Sequence, residues 1–228
     1  MASPPNAKTT GRFAGLAYLV IILFSIAGYA TLTRLLAGSS PNVLARLVAD
    51  QTLFTLAFAS SVIGFAAWAV LVILLYRLLS SASRIAGLLM VALAMAGVAM
   101  NLAALFQLCP LVSLGAGLDA AALTPMVERY RRLMLLAQVF SGLWLFPFGW
   151  LVVRSWVAPR LLGLCLIVGG FGYLLVFATA FAPDFGQMLA YKIASAVTGI
   201  PALVGEFGMC LWLLIKGARA AETPSPRA

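Results

Sequence analysis

Glu206 is the residue of this chain best suited to chemistry, because it is the one carboxylate inside any of six long apolar stretches. An acid in that position could bind and release a proton or hold the polar group of a ligand. A charge at the middle of a bilayer costs on the order of 2.5–3.5 kcal/mol on insertion-based scales. We therefore expect Glu206 to be uncharged and to face the interior of a helix bundle, beside at least one polar neighbour.

Four other polar residues in the apolar stretches are candidates for that neighbourhood. At about 1.5 Å of helix per residue, Tyr173 and Ser25 lie near the depth of Glu206, whereas Asn101 and Gln138 lie farther outward. The sequence thus predicts a binding or proton-linked core of Glu206, Tyr173 and Ser25. Asn101 and Gln138 would pair and cap this core. The alternative is that all five side chains only join helices by hydrogen bonds.

The residues that are missing exclude several kinds of site. The chain has no histidine, which removes Ser-His and Cys-His catalysis, His-ligated haem and most zinc and copper sites. Its three cysteines form no CxxC motif, and no phosphate-binding glycine loop is present. One buried carboxylate also lacks the second acid or base that hydrolysis normally requires. We therefore predict no catalytic residues, no metal and no cofactor, and we expect the protein not to be an enzyme.

The composition indicates which elements must position these residues. Of 228 residues, 64% are hydrophobic and 9% are charged, and the mean hydropathy is +1.07, whereas soluble domains carry roughly 25% charged residues. Six segments reach the roughly 20 apolar residues that a helix needs to span a bilayer. They are residues 13–33, 52–76, 85–108, 133–153, 161–182 and 194–215. The predicted fold class is an all-α integral membrane protein with six transmembrane helices.

The predicted domain organisation is a single membrane domain between two short tails. Residues 1–12 form a cytoplasmic N-terminal tail, residues 13–217 form the six-helix domain, and residues 218–228 form a disordered cytoplasmic tail with two prolines.

A short motif recurs at the start of every second helix. Arg12, Arg84 and Arg160 are each followed by Gly three residues later and Leu four residues later. The chain can therefore be read as three tandem helical hairpins related by an axis along the membrane normal. The alternative is that basic residues only mark the cytoplasmic helix ends, with glycine permitting close packing one turn inside.

The basic residues predict the orientation in the membrane. With six spans both termini lie on one side, which carries nine basic residues: Lys8, Arg12, Arg77, Arg84, Arg154, Arg160, Lys216, Arg219 and Arg227. The other side carries six: Arg34, Arg46, Arg129, Arg131, Arg132 and Lys192. We therefore place both termini in the cytoplasm of a bacterial inner membrane. The basic residues form no tract, so we expect membrane lipids and no nucleic acid as partners.

Prolines predict further local features. Ser40-Pro41 is typical of a helix start and predicts a short helix over 41–49 on the outer surface. Thr124-Pro125 predicts that the fourth spanning helix begins well outside the membrane. Pro147 and Pro201 could bend two spanning helices.

Several segments of the second half resemble one known family. They are 142–149 (GLWLFPFG), 154–155 with 158–163 (RS, APRLLG), 170–174 (GFGYL), 201–206 (PALVGE) and 211–217 (LWLLIKG). Together they are similar to a bacterial multi-pass membrane family known as domain of unknown function 4386. Arg12, Gly15, Leu16 and Asn101 extend the resemblance into the first half. It implies a six-span fold and a role for Glu206, but no activity.

These observations favour a membrane-embedded protein that binds or transports a small apolar or amphiphilic molecule through a polar core at Glu206. One alternative is a structural or accessory subunit without chemistry, with a protein partner or a second copy of the chain. Another is an intramembrane enzyme that modifies lipids. A cavity near Glu206 would favour the first, a close-packed core the second, and a second acid–base group beside Glu206 the third.

Overall fold

Helices make up most of the molecule. The computed structural model describes residues 7–112, 120–179, 181, 184 and 188–218. The helices in these residues are α1 (Ala7–Leu35), α2 (Ser40–Ala49), α3 (Gln51–Leu79), α4 (Arg84–Phe106), α5 (Cys109–Val112), α6 (Ala120–Leu143), α7 (Leu145–Ser155), α8 (Arg160–Ala178) and α9 (Leu189–Lys216). Six spans are long and apolar enough to cross a membrane: α1, α3, α4, α6 with α7, α8 and α9. The predicted all-α fold with six transmembrane helices is confirmed.

The first helix begins earlier than the apolar run does. α1 starts at Ala7, inside the predicted 1–12 tail, because a helix can continue into the polar boundary once its apolar part is anchored. At the other end Ala218 is buried, and its backbone nitrogen lies directly behind Gly11. Residues 1–6 and 219–228, which contain the rest of both predicted tails, lie outside the described residues.

The fourth span is broken where its proline predicts a bend. α6 ends at Leu143 and α7 begins at Leu145. Pro147 has no N–H to donate to the carbonyl four residues earlier, at Leu143, so the helical ladder is interrupted there. Pro201 likewise has no N–H to donate to the Val197 carbonyl oxygen, but α9 continues through it as one helix.

The two proline-marked helix starts fall close to their predicted positions but not on them. The short helix exists as α2, but its N-cap is Ser39 rather than Ser40, with Pro41 in the first turn. α6 begins at Ala120, so Pro125 lies inside it instead of at its start. The alanines at 120–122 favour helix strongly enough to add a turn before the proline.

The six spans form a closed ring. Each spanning helix packs against the next one in the chain, and α1 packs against α9. The two ends of the described chain meet on one side, since the Lys8 carbonyl oxygen lies close to Gly217. We call this side the terminal face, and we call the opposite side, where α2 and α5 lie, the distal face.

Aromatic rings fill the interior of the ring around the middle of the spans. Trp68 of α3 lies 5.6 Å from Trp144, which stacks on Phe148 of α7 at 5.1 Å between ring centroids. These rings belong to a buried cluster that includes Tyr18 and Met90. A separate buried cluster joins α2, α5 and the adjoining helix ends at the distal face.

Candidate functional site

Glycine allows α8 and α9 to approach closely around the depth of Glu206. A Cβ atom on Gly205 would lie 2.9 Å from the backbone nitrogen of Leu166, and one on Gly172 would lie 2.9 Å from Thr198 Oγ1. Neither position can hold a larger residue unless its neighbours shift. The close approach holds α8 and α9 near enough for Tyr173 and Glu206 to meet.

Tyr173 and Glu206 form a hydrogen bond inside the membrane span. The Tyr173 hydroxyl donates to Glu206 Oε1 at 2.9 Å. Both side chains are partly buried. The one ion pair among the described residues joins Arg132 and Glu128, so Glu206 has a phenol as its partner and no basic side chain in that part of the chain. A phenol and a carboxyl group held this way can share or pass on a proton.

Tyr18 of α1 completes this site, and sequence reasoning missed it. Its side chain is 2% exposed, and its hydroxyl has no hydrogen-bond partner among the described residues. It is close enough to interact electrostatically with Glu206 and Tyr173. The available signal was that Tyr18 precedes Ser25 by seven residues, which places both on one face of a helix.

The contact of α1 with α9 explains why Tyr18 lies on this side of the bundle. A Cβ atom on Gly15 would lie 2.9 Å from the backbone carbon of Leu213 on α9. One helical turn beyond Glu206, Cys210 Sγ lies 3.6 Å from the Gly15 carbonyl oxygen. This packing turns the next turn of α1, which carries Tyr18, toward α9.

Ser25 does not hydrogen-bond to Glu206. Its Oγ is buried and has no hydrogen-bond partner among the described residues. It lies against Gly64 of α3, because α1 packs tightly on α3 along a line of small residues. The predicted core is therefore formed by Tyr173 and Glu206 with Tyr18, and Ser25 lies on the neighbouring helix contact.

Asn101 and Gln138 do not pair with each other among the described hydrogen bonds. Asn101 is 5% exposed, and its Nδ2 donates to the Gly97 carbonyl oxygen of its own helix at 2.8 Å. Gln138 lines a pocket at the distal end of the ring. A side-chain amide can donate to a carbonyl oxygen of its own helix and so needs no partner on another helix. The depth of a residue in its span also does not show in which direction its side chain points.

The distal pocket lies between helices that face each other across the ring. Its volume is about 250 Å³, and it is lined by Tyr29, Thr33, Leu36 and Ala37 from α1 and the residues following it, by Tyr130, Arg131, Met134, Leu135 and Gln138 from α6, and by Val176 from α8. Val176 is three residues, or about one helical turn, beyond Tyr173. The pocket therefore approaches the Glu206 site from the distal side.

The polar groups at the pocket are hydroxyls, one amide and one guanidinium. Arg131 donates to the Leu36 carbonyl oxygen at the end of α1. It also borders a second pocket of about 150 Å³, which includes Glu128. None of the described residues that line the larger pocket is acidic, and Arg131 is basic, so the fixed charge of these residues is positive.

Metal-binding chemistry has no cluster to support it in the described part of the chain. There, no group of three or more His, Cys, Asp or Glu side chains is placed to hold a metal ion. The groups that the described site does offer are a phenol and a carboxyl group joined by a hydrogen bond.

Comparison with known proteins agrees with the sequence resemblance. Comparison with curated proteins and with solved structures finds no match. One family model, described as a domain of unknown function, matches residues 13–217. That range covers all six spans, the Tyr173–Glu206 pair and the distal pocket. This six-span membrane protein therefore belongs to the DUF4386 family.

Proposed function

We propose that this protein binds a small amphiphilic molecule in the distal pocket and transports it in a step linked to protonation of Glu206. The observation that carries the proposal is the position of the pocket, whose lining residue Val176 follows Tyr173 by one turn of α8. The volume of about 250 Å³ is just below the usual range for ligand pockets, which begins at about 300 Å³. The molecule must therefore be small.

The lining of the pocket favours an anionic head group. Arg131 supplies a positive charge, and Tyr29, Thr33 and Gln138 supply hydrogen-bond donors. Met134, Leu135 and Val176 supply an apolar wall for a short chain. A medium-chain carboxylate fits both the volume and the charge.

The proposed location is a bacterial inner membrane with both termini in the cytoplasm, on the positive-inside rule. In this orientation the distal pocket opens away from the cytoplasm. The amphiphile would then reach the pocket from outside, or from the outer leaflet.

Binding of octanoate to the protein in lipid nanodiscs tests the proposal. Equilibrium dialysis of radiolabelled octanoate against loaded and empty nanodiscs gives the protein-dependent binding. We expect saturable binding that is at least tenfold weaker in Val176→Trp, whose larger side chain occupies the pocket. Octylamine, with the same chain and a positive head, should bind more weakly than octanoate.

Val168→Trp is the matched control, because Val168 and Val176 are both on α8 with similar exposure, 38% and 39%, and Val168 does not line the pocket. It should bind octanoate like the wild type. Absence of saturable binding, or equal losses in both variants, would reject the proposal and favour a structural or accessory role.

The Tyr173–Glu206 bond also gives some support to a lipid-modifying enzyme, since Tyr173 is a second group able to exchange protons. Incubation of the protein with labelled bilayer lipids, followed by chromatography, distinguishes the two functions. A new lipid product that is absent with Glu206→Gln would favour the enzyme. An unchanged lipid pool together with octanoate binding would favour transport.

A further inference from the structure

Buried polar atoms without hydrogen-bond partners are concentrated in one part of the molecule. The described residues contain four such side-chain atoms: Tyr18 Oη, Ser25 Oγ, Gln51 Oε1 and Trp68 Nε1. Gln51 lies at the distal face, where its Nε2 donates to Leu111 and Val112. The other three lie inside the ring on α1 and α3. Buried polar side chains are almost always hydrogen-bonded to protein or to ordered water, so three together indicate bound water.

The atoms of Ser25 and Trp68 fall in depth between the distal pocket and the Glu206 site, and Tyr18 Oη lies at the site itself. Tyr29 lines the pocket, and Ser25 is one turn nearer the terminal face on α1. Ser25 lies against Gly64, and Trp68 is one turn farther along α3 in the same direction. Tyr18 is seven residues from Ser25, or about 10 Å of helix, and reaches the surroundings of Glu206. We call Tyr29, Ser25, Trp68 and Tyr18 the polar passage.

Beyond Tyr18 and Glu206 the ring is closed toward the terminal face. Leu75, Leu79, Phe148, Leu151 and Leu213 are each at most 1% exposed, and no unpartnered polar atom lies among them in the described part of the chain. Water in such apolar, close-packed surroundings would have no hydrogen-bonding groups. The polar passage therefore leads from Glu206 toward the distal face and does not continue toward the terminal face.

We propose that the polar passage holds water molecules and connects Glu206 to the distal side for proton exchange, with no such route to the terminal side. Among the described residues, the titratable groups near Glu206 are Tyr173 from α8 and Tyr18 from α1, and Cys210, one turn farther along α9, lies near Tyr18. Hydroxyl groups both donate and accept hydrogen bonds, so Tyr18 and Ser25 can relay a proton. Trp68 Nε1 only donates and can hold the oxygen of a water molecule. This proposal rests on the proposed function, because it supplies the route for the proton-linked step, but its test needs no amphiphile.

Thiol accessibility tests the passage directly. In a background without native cysteines, Ser25→Cys is reconstituted in sealed vesicles and treated with charged methanethiosulfonate reagent from either side. A thiol reacts readily only where water reaches it and it can ionise. We expect Ser25→Cys to react from the distal side and at least tenfold more slowly from the terminal side.

Ser61→Cys is the matched control. Ser61 is a serine of the same α1–α3 contact, but its hydroxyl is satisfied by the Ala57 carbonyl oxygen at 2.9 Å and faces Gly28. It should stay unreactive from both sides. Equal reactivity of the two thiols, reaction of Ser25→Cys from the terminal side, or no reaction at all would each overturn the proposal.

Hydrogen–deuterium exchange at Glu206 gives a second measurement that does not depend on a new thiol. The infrared carboxyl bands of Glu206 are identified by their loss in Glu206→Gln. After transfer to D₂O, the Glu206 band of the wild type should shift within seconds. In Tyr18→Phe and in Ser25→Ala, the exchange rate at Glu206 should be at least tenfold lower. Ser61→Ala should exchange like the wild type. A wild-type signal that stays unexchanged for hours, or equal rates in all variants, contradicts a water path even if octanoate binds. If exchange at Glu206 is normal but octanoate does not bind, only the proposed binding of an amphiphile is rejected, and the water path stands.

Discussion

At the scale of single residues, a phenol and a carboxyl group form the most specific contact inside the membrane span. Tyr173 donates to Glu206 at 2.9 Å, and Tyr18 lies nearby with an unpartnered hydroxyl in the described structure. In lipid, a polar group without a partner is costly. The bond therefore helps to hold α8 to α9.

A double-mutant cycle should measure this bond. Tyr173→Phe, Glu206→Gln and the double variant are unfolded in mixed micelles, and the coupling free energy is obtained from their stabilities. We expect about 0.6–1.7 kcal/mol, the range found for hydrogen bonds between membrane helices. Tyr76→Phe serves as the control, because Tyr76 has no side-chain hydrogen bond to Glu206. A coupling of zero between Tyr173 and Glu206 would contradict the bond.

At the scale of the elements, glycines determine how closely the helices approach. Where α9 passes Leu166 of α8, a Cβ atom on Gly205 would lie 2.9 Å from backbone nitrogen, whereas one on Gly199 would meet nothing within 4 Å. The two glycines lie on the same helix, six residues apart. They therefore separate the effect of packing from the effect of helix propensity.

Gly205→Ala and Gly199→Ala should have opposite effects on stability. Gly199→Ala should stabilise by roughly 0.5–1 kcal/mol, because alanine is the better helix former. Gly205→Ala should destabilise by about 1–3 kcal/mol, the usual cost of overpacking, and it should weaken the Tyr173–Glu206 bond. Unfolding of both variants in mixed micelles checks this. Stabilisation by both substitutions would show that α8 and α9 are not in tight contact at Gly205.

At the scale of the whole molecule, the ring of six spans separates two different ends. The terminal end is closed by buried apolar residues such as Leu75, Leu79 and Leu151. The distal end contains the pocket and the entrance of the polar passage. In the proposed transport, this difference between the ends would leave the Glu206 site open to the distal side alone.

Labelling of single cysteines on intact cells should determine the orientation. In a background without native cysteines, Glu128→Cys reports the distal face and Ser81→Cys reports the terminal face. Both positions are exposed. We expect a membrane-impermeant maleimide to label Glu128→Cys alone, with Ser81→Cys labelled only after the cells are opened. The reverse pattern would place both termini outside the cytoplasm.

The site was predicted from the sequence only in part. The pairing of Glu206 with Tyr173 agrees with their depths, because they lie on consecutive spanning helices that pack against each other. Ser25 and the Asn101–Gln138 pair were assigned by the same argument and lie elsewhere. Their directions depend on the rotation of α1, α4 and α6 about their own axes, which depth does not determine.

The sequence by itself determined the number of spans and the fold class, and it placed Glu206 inside the last span. These follow from local properties, since lipid forces each apolar run of sufficient length into a helix that satisfies its own backbone. Only the tertiary structure decided that Tyr18 joins Glu206, that Ser25 lies against Gly64, and that a pocket opens between α1 and α6. These contacts join residues far apart in the chain, and they depend on how glycine and aromatic side chains set the rotation and separation of whole helices.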